Sequence, residues 1–446
     1  MKLVRTLTFA GLGAGSLAAL VLMSQGCGST AANGPEDSGT GSSSSKSSSK
    51  SSSSGSTSAT SSGSNSGSAS STAVGGGTPP PASGPATTST TKHNFAIHHL
   101  YVGDDTPTPS YTPSSTAWKT IGYNIDGLDT TASSTNVCTP YTHGQTAQQI
   151  DGANGIDNAF GSQIVPQLSA IGNLSSTVSL KIIGGSFSIL IDTTGLTDST
   201  TPAQTNTALG GELFAGSTYT GGGAPPLTGT SFSLTDNWPV SSALLTDGMT
   251  IAGGSKINFP AAYVTNNVWV SGAPVNLGLS LSLEGETLTL TIHSAVISFT
   301  RTVDSAGQNH ATNGIISGVL ETTEFISAIN QVVGQISGGA ECSLVSAIEP
   351  LIYNAQDIII DSTTGAVSNT AGTPCNGVSI GLAFDADEIA QPSVVAPNVD
   401  AGTALPPCGS SGTGSSSATT SHSSTSGSGS SESSGSAGSS TSTAGH

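Results

Sequence analysis

Six oxygen-bearing side chains in two short clusters are the residues of this chain best suited to chemistry. Asn124, Asp126 and Asp129 form Asn-x-Asp-Gly-x-Asp, and Asp151, Asn154 and Asp157 follow beyond a loop that carries Cys138. A hard cation such as calcium takes about six to eight oxygen ligands, and short Asp/Asn/Gly turns supply carboxylates, amide oxygens and bare carbonyls together. Gly127, Gly152 and Gly155 permit the positive-φ turns such loops need. Neither cluster is an EF-hand. Counted from Asn124, the fifth position is Leu128 and the sixth is Asp129 instead of glycine; counted from Asp151, the third and fifth are Ala153 and Gly155. The expectation is a composite Ca2+ site drawn from both loops. The competing reading is that the same residues make turns and a helix cap.

Other residues could also carry chemistry. Asp385, Asp387 and Glu388 stand at the end of the last expected strand, as catalytic acids, a second cation cluster or a solvated strand terminus. His93, His98 and His99 could ligate a metal, but adjacent histidines on a strand point to opposite faces, so they read as strand residues. His293 falls on the threonine face of its strand and reads as a solvent residue. Trp118, Trp238 and Trp269 could stack on sugars, although burial is the commoner use of tryptophan. No Gly-x-Ser-x-Gly, His-Glu-x-x-His, phosphate-binding loop or dinucleotide fingerprint occurs in the folded region, and no catalytic residue is assigned.

The elements that must position these residues are mostly strands. Phe95, Ile97, His99 and Tyr101 alternate with their neighbours, as do Phe187, Ile189 and Ile191. The clearest signal is Leu277 to Leu283, a turn at Glu284-Gly-Glu286, then Leu288, Leu290 and Ile292 continuing to Phe299: a meander with one buried and one wet face. Asp157 or Asn158 can cap a short helix with Phe160, Ile164 and Leu168 on one side, which Pro166 must kink or restart. Two further helices are expected. Thr323 would cap one bearing Phe325, Ile329, Val332 and Ile336, and the other covers about Glu341 to Tyr353. The fold class is mainly β with a few helices, an antiparallel β-sandwich-like domain, with α+β as the alternative.

Composition sets the boundaries. Ser/Gly/Thr-rich tracts cannot bury enough apolar surface to offset the entropy of ordering. The expected organisation is a signal peptide at 1–26, a linker at 27–92, a globular domain at 93–408 and a tail at 409–446. The chain holds 27 Asp+Glu against 9 Lys+Arg, and between 93 and 408 the only basic side chains are Lys119, Lys181, Lys256 and Arg301. Nucleic-acid binding needs a basic footprint and is excluded. Acidity suits cations, neutral ligands such as sugars, or simply an extracytoplasmic surface.

Lys2 and Arg5 precede a hydrophobic run from Leu7 to Met23, a charged n-region and a short h-region. The run ends Leu22-Met-Ser-Gln-Gly-Cys27, which resembles the lipobox of bacterial lipoproteins, where the cysteine becomes the lipidated first residue. Ser24 and Gln25 depart from that pattern, so ordinary signal-peptidase cleavage is the alternative. In lipoproteins a residue other than Asp after the cysteine favours outer-membrane sorting, and Gly28 stands there. Assigning Cys27 to lipid leaves Cys138, Cys342, Cys375 and Cys408, an even set for an oxidising compartment. The favoured pairing is Cys342–Cys375 with Cys138–Cys408, which would clasp the ends of the folded region.

Trp118, Gly122-Tyr-Asn-Ile-Asp-Gly127, Cys138 and Asp151-Gly-Ala-Asn-Gly-Ile-Asp-Asn-Ala-Phe-Gly161 together resemble a motif set of Ser/Gly-tethered lipoproteins of Gram-negative bacteria. The resemblance implies a surface location and no activity. The functional expectation is a non-enzymatic cell-envelope lipoprotein, calcium-binding at the two loops, attached to the membrane by lipid and meeting a glycan or other envelope component. The alternatives are a secreted polysaccharide hydrolase and a lectin-like carbohydrate-binding module.

Overall fold

A computed structural model describes residues 77–107, 111–139, 148–168, 173–219, 231–283, 286–337 and 342–396. The chain is mainly β and antiparallel. Its long strands are β1 (Lys92–Tyr101), β2 (Ser188–Thr194) and β3 (Asn206–Gly216). Three short ones follow, β4 (Ile257–Asn258), β5 (Ala262–Thr265) and β6 (Val268–Val270). Then come β7 (Val275–Leu283), β8 (Glu286–Val303), β9 (Asn309–Glu321), the small pair β10 (Ile359–Ile360) and β11 (Val367–Ser368), and β12 (Gly377–Ile389).

The strand path β2-β1-β12-β9-β8-β6-β5-β3 returns to its start, because β3 also pairs with β2. Every pairing in it is antiparallel, so the strands close into a ring in which each has a neighbour on both sides. β4 adds to β3 and β7 to β8. Aromatic side chains fill the interior. Phe95 on β1 meets Phe299 on β8 at 5.1 Å although two strands separate them round the ring, and Phe299 in turn meets Trp269 at 5.1 Å and Phe384 at 6.4 Å. Gly314 on β9 makes room, since a Cβ there would stand 2.5 Å from the Phe384 ring.

The sequence signals for β1, β2, the β7–β8 hairpin and the two later helices correspond to observed elements. α1 (Val165–Leu168) continues a π-helical turn, Phe160–Ile164. The change falls at Pro166, which has no N–H to donate back. α2 (Leu174–Ile183) was not marked by any strong apolar stripe. It buries Ser175, Val178, Ser179 and Ile182, and the two serines reach the end of β1 and the residue after it: Ser179 Oγ accepts from the Leu100 N–H at 3.2 Å and Ser175 Oγ from the Val102 N–H at 2.9 Å. α3 (Thr322–Ser337) starts with Glu321 as its cap instead of Thr323: the Glu324 N–H donates to Glu321 Oε2 at 2.8 Å. α4 is Cys342–Asn354 with Pro350 inside.

Both faces of β1, β2 and β12 are buried, so the expected split into a wet and a dry face fails there. His293 is also buried, at 4% exposure, with Nε2 2.8 Å from Glu324 Oε2. The cause is α3, which packs on β8 and sets Glu324 against the ring; the register break between His293 and Val296, with Ser294 at φ 48°, falls only beyond that histidine. Residues 77–91, read from sequence as the end of the linker, lie against the ring: the Tyr263 hydroxyl donates to Pro80 O at 2.6 Å, and Asn206 bonds both backbone groups of Thr87.

Candidate cation site

Ile121, Gly122 and Asn158 cross the outside of the ring over β12. Gly381 on β12 permits the approach, because a Cβ there would collide with Ile121 O. Asn158 pins the crossing: its Nδ2 donates to Ile121 O at 2.9 Å and Gly381 O at 3.1 Å, and its Oδ1 accepts from the Gly161 and Gly381 N–H groups. The helix begins at Ala159, one residue after the expected cap, and Asn158 ties its first turn to Ile121 and to β12.

The two expected loops do meet. Asp157 is 2% exposed, and its Oδ2 accepts from the Ile125 N–H at 2.6 Å and the Asp126 N–H at 3.3 Å. Asp151 Oδ2 accepts from the Thr130 N–H at 2.6 Å. Asn124 closes its own turn, with Oδ1 accepting from Gly127 and Nδ2 donating to Leu128 O. Gly155, at φ 74°, lies so close that any side chain would strike that Asn124–Leu128 bond. Asp129 and Asn154 are exposed and stand at the margin; Asn154 only turns the chain at φ 59°. The structure thus brings Asn124, Asp126, Asp151 and Asp157 together and leaves Asp129 and Asn154 outside.

Sequence reasoning missed two members. Asp126 Oδ2 accepts from Asn369 Nδ2 at 2.6 Å, and that amide also reaches Asp357 O. The Asp357 carboxyl accepts from the Ser379 N–H and hydroxyl. The only sequence signal was an aspartate set directly before the aliphatic run Ile358-Ile-Ile360. Asn369 Oδ1 also accepts from the Cys138 N–H, and Cys138 is disulfide-bonded to Cys375, with Cα atoms 5.3 Å apart. This corrects the favoured pairing of Cys138 with Cys408 and of Cys342 with Cys375. The loop that carries Cys138 is held to the 369–377 segment by backbone bonds between Thr139 and residues Thr373 and Cys375, which spacing alone does not reveal. Cys27 and Cys408 lie outside the described residues, and so does the Cys342 side chain.

Among the described residues, no lysine or arginine is ion-paired with these carboxylates. Burial pushes the Asp151 carboxyl up to about 7, against the Thr130 hydrogen bond, and the charges of Asp126 and Asp129 add to the rise. Burial also lifts Asp357 to about 7, against its two Ser379 bonds, with Asp151 and Asp126 adding. Asp157 rises well above the usual carboxylate range, through burial first and then through Asp126, Asp357 and Asp151. The donor set is all oxygen, which suits a hard cation. Among the described residues no three His, Cys, Asp or Glu side chains form a ready-made ligand set, since most of these oxygens are turned onto N–H groups.

The remaining candidates are placed differently. Asp385 and Asp387 do not end a strand; β12 runs on to Ile389 and both are buried. Asp387 lies between two imidazoles, 2.6 Å from His310 Nδ1 and 3.5 Å from His98 Nε2, and Glu388 is 2.6 Å from His93 Nδ1. A bulge between Ile97 and His99 brings the adjacent His98 and His99 side chains together, with Nδ1 atoms 3.4 Å apart, where simple alternation would separate them. Trp238 and Trp269 are fully buried and cannot stack on a sugar; Trp118 is half-buried under the Lys119 ammonium. No family model matches the chain, and no curated protein and no solved structure matches it either.

Proposed function

We propose that this protein is a non-enzymatic extracytoplasmic domain, tethered to the outer membrane or cell surface through lipid on Cys27, whose surface loops are locked by a calcium ion. The observation that carries the calcium reading is the convergence of Asp126, Asp151, Asp157 and Asp357 from three separate chain segments with no cationic side chain among them. Such a group either holds protons or takes a cation, because buried like charges cannot all ionise unopposed. Calcium would draw on these carboxylates and release their protons as it binds. The tether reading rests on the lipobox-like sequence and on the linker composition.

The test is a thermal melt of the full chain at about pH 8 with calcium and with chelator. A ligand present at about a hundred times its dissociation constant adds about 2.7 kcal/mol to the native state. A calcium-dependent rise of several degrees, absent in Asp157→Asn, is the expected result. Equal midpoints in calcium and chelator would reduce the cluster to a proton store and end the calcium reading. For the anchor, Cys27→Ala should lose partitioning into detergent; unchanged partitioning would remove the lipid.

A further inference from the structure

A groove of about 940 Å³ runs along the outer face of β2 and β3, between the Met249–Gly254 turn and the Gln391–Val395 segment. This is near the upper end of small-molecule clefts, about 300–1,000 Å³. Asp192 and Glu212 are direct partners across the β2–β3 ladder, so both side chains leave the same face, and both line the groove. Like charges placed directly opposite repel. Asp192 is 3% exposed; its Oδ2 takes the Lys92 ammonium at 3.0 Å. Its Oδ1 is buried and meets no described donor at full hydrogen-bond geometry, although the Gln391 amide faces the carboxyl and favours its charged form. Glu212 is half-buried, its Oε1 lies against Gly254, and it makes no hydrogen bond or ion pair among the described residues.

This combination selects by charge. Lys92 already answers Asp192, and the second carboxylate leaves the groove net negative, which disfavours an anion. A neutral ligand rich in hydroxyls suits both halves: it donates to Asp192 Oδ1 and Glu212 and accepts from the ammonium hydrogens that Lys92 has left. Burying a carboxylate oxygen without a partner is costly, and a ligand hydroxyl relieves that cost. Phe214 on the floor and Met249 on the rim, the latter 73% exposed, offer apolar surface to C–H faces. We propose that this groove binds a neutral oligosaccharide, with Asp192 and Glu212 accepting from sugar hydroxyls and Lys92 donating to sugar oxygens.

Calorimetric titration of the full chain with unsubstituted gluco-, galacto-, manno- and xylo-oligosaccharides tests this, with uronate and amino-sugar oligomers as charged counterparts. At least one neutral series should bind, and its uronate counterpart should bind about tenfold more weakly or worse. Glu212→Gln should weaken binding about tenfold without lowering the melting midpoint, since it removes a charged acceptor and the repulsion with Asp192 but no internal contact. Met249→Asp at the exposed rim gives a second readout of the same kind. Binding should persist in chelator, because the groove shares no residue with the carboxylate cluster. No binding by any neutral series, equal binding by the uronate counterpart, tighter binding by the amino-sugar counterpart, or wild-type affinity in both variants would overturn the proposal.

Discussion

Two regions of this molecule hold opposed carboxylates, and they resolve the conflict in different ways. In the loop cluster, Asp126, Asp151 and Asp157 accept from backbone N–H groups, and no side-chain cation answers them. In the groove, Lys92 answers Asp192, while Asp192 Oδ1 and Glu212 meet no donor at full hydrogen-bond geometry among the described residues. The first arrangement is rich in internal bonds and poor in countercharge. The second has countercharge and spare acceptors. The same residue types therefore suit a cation in one place and a neutral hydroxyl ligand in the other.

The largest expected effect comes from breaking the clamp on the first region. Cys138 and Cys375 close a loop of 237 residues, and in the chain-entropy model such a link contributes about 5 kcal/mol. The Cys138→Ser/Cys375→Ser pair should lower the denaturation midpoint in urea accordingly. It should also weaken the pH response described next, because the loops can then separate.

That pH response comes second. The folded pKa values of Asp151 and Asp357, about 7, lie above the unfolded carboxylate value near 4. Between these limits the native protein holds protons that the unfolded chain has released, so their contribution to stability is full at low pH and is lost as pH rises through about 7. Without calcium the melting midpoint should fall by several degrees from about pH 5 to about pH 8, and calcium should restore it. A midpoint that rises over this range would contradict the cluster's electrostatics.

Third, Asp157→Asn removes one buried charge while leaving an oxygen to accept from Ile125 and Asp126. Its midpoint at about pH 8 in chelator should exceed that of the wild type, and its pH slope should be shallower. Smallest of all, Asp129→Asn in the margin of the cluster should leave the midpoint within about 0.5 kcal/mol of wild type, as surface substitutions usually do. A larger loss would draw Asp129 into the site and blur its boundary.

How much of this was readable differs by region. Four of six cluster residues were marked by Asp/Asn/Gly spacing, because local turns write themselves into local sequence. Asp357 and Asn369 were not, since they arrive from more than two hundred residues downstream and each stands alone. The groove left no trace at all: Asp192 and Glu212 become neighbours only through the β2–β3 register. Strands with clean alternation were legible, as β7 and β8 show, but their closure into a ring depends on β1 with β12 and β2 with β3. The His98–His99 pair was misplaced because a single-residue register break is invisible to a period-two pattern, and His293 because a helix covers what alternation marks as a wet face.

The ring has a consequence for the order in which the chain is made. β1, the first strand, is held on one side by β12, the last. Until residue Ile389 has emerged, β1 and β9 each lack the partner that β12 supplies. A nascent or truncated chain therefore carries two open hydrogen-bonding edges flanked by apolar side chains, a state prone to join other chains. The domain can guard itself only when it is nearly finished, so a stop introduced before β12 should yield an aggregating product and not a smaller working one.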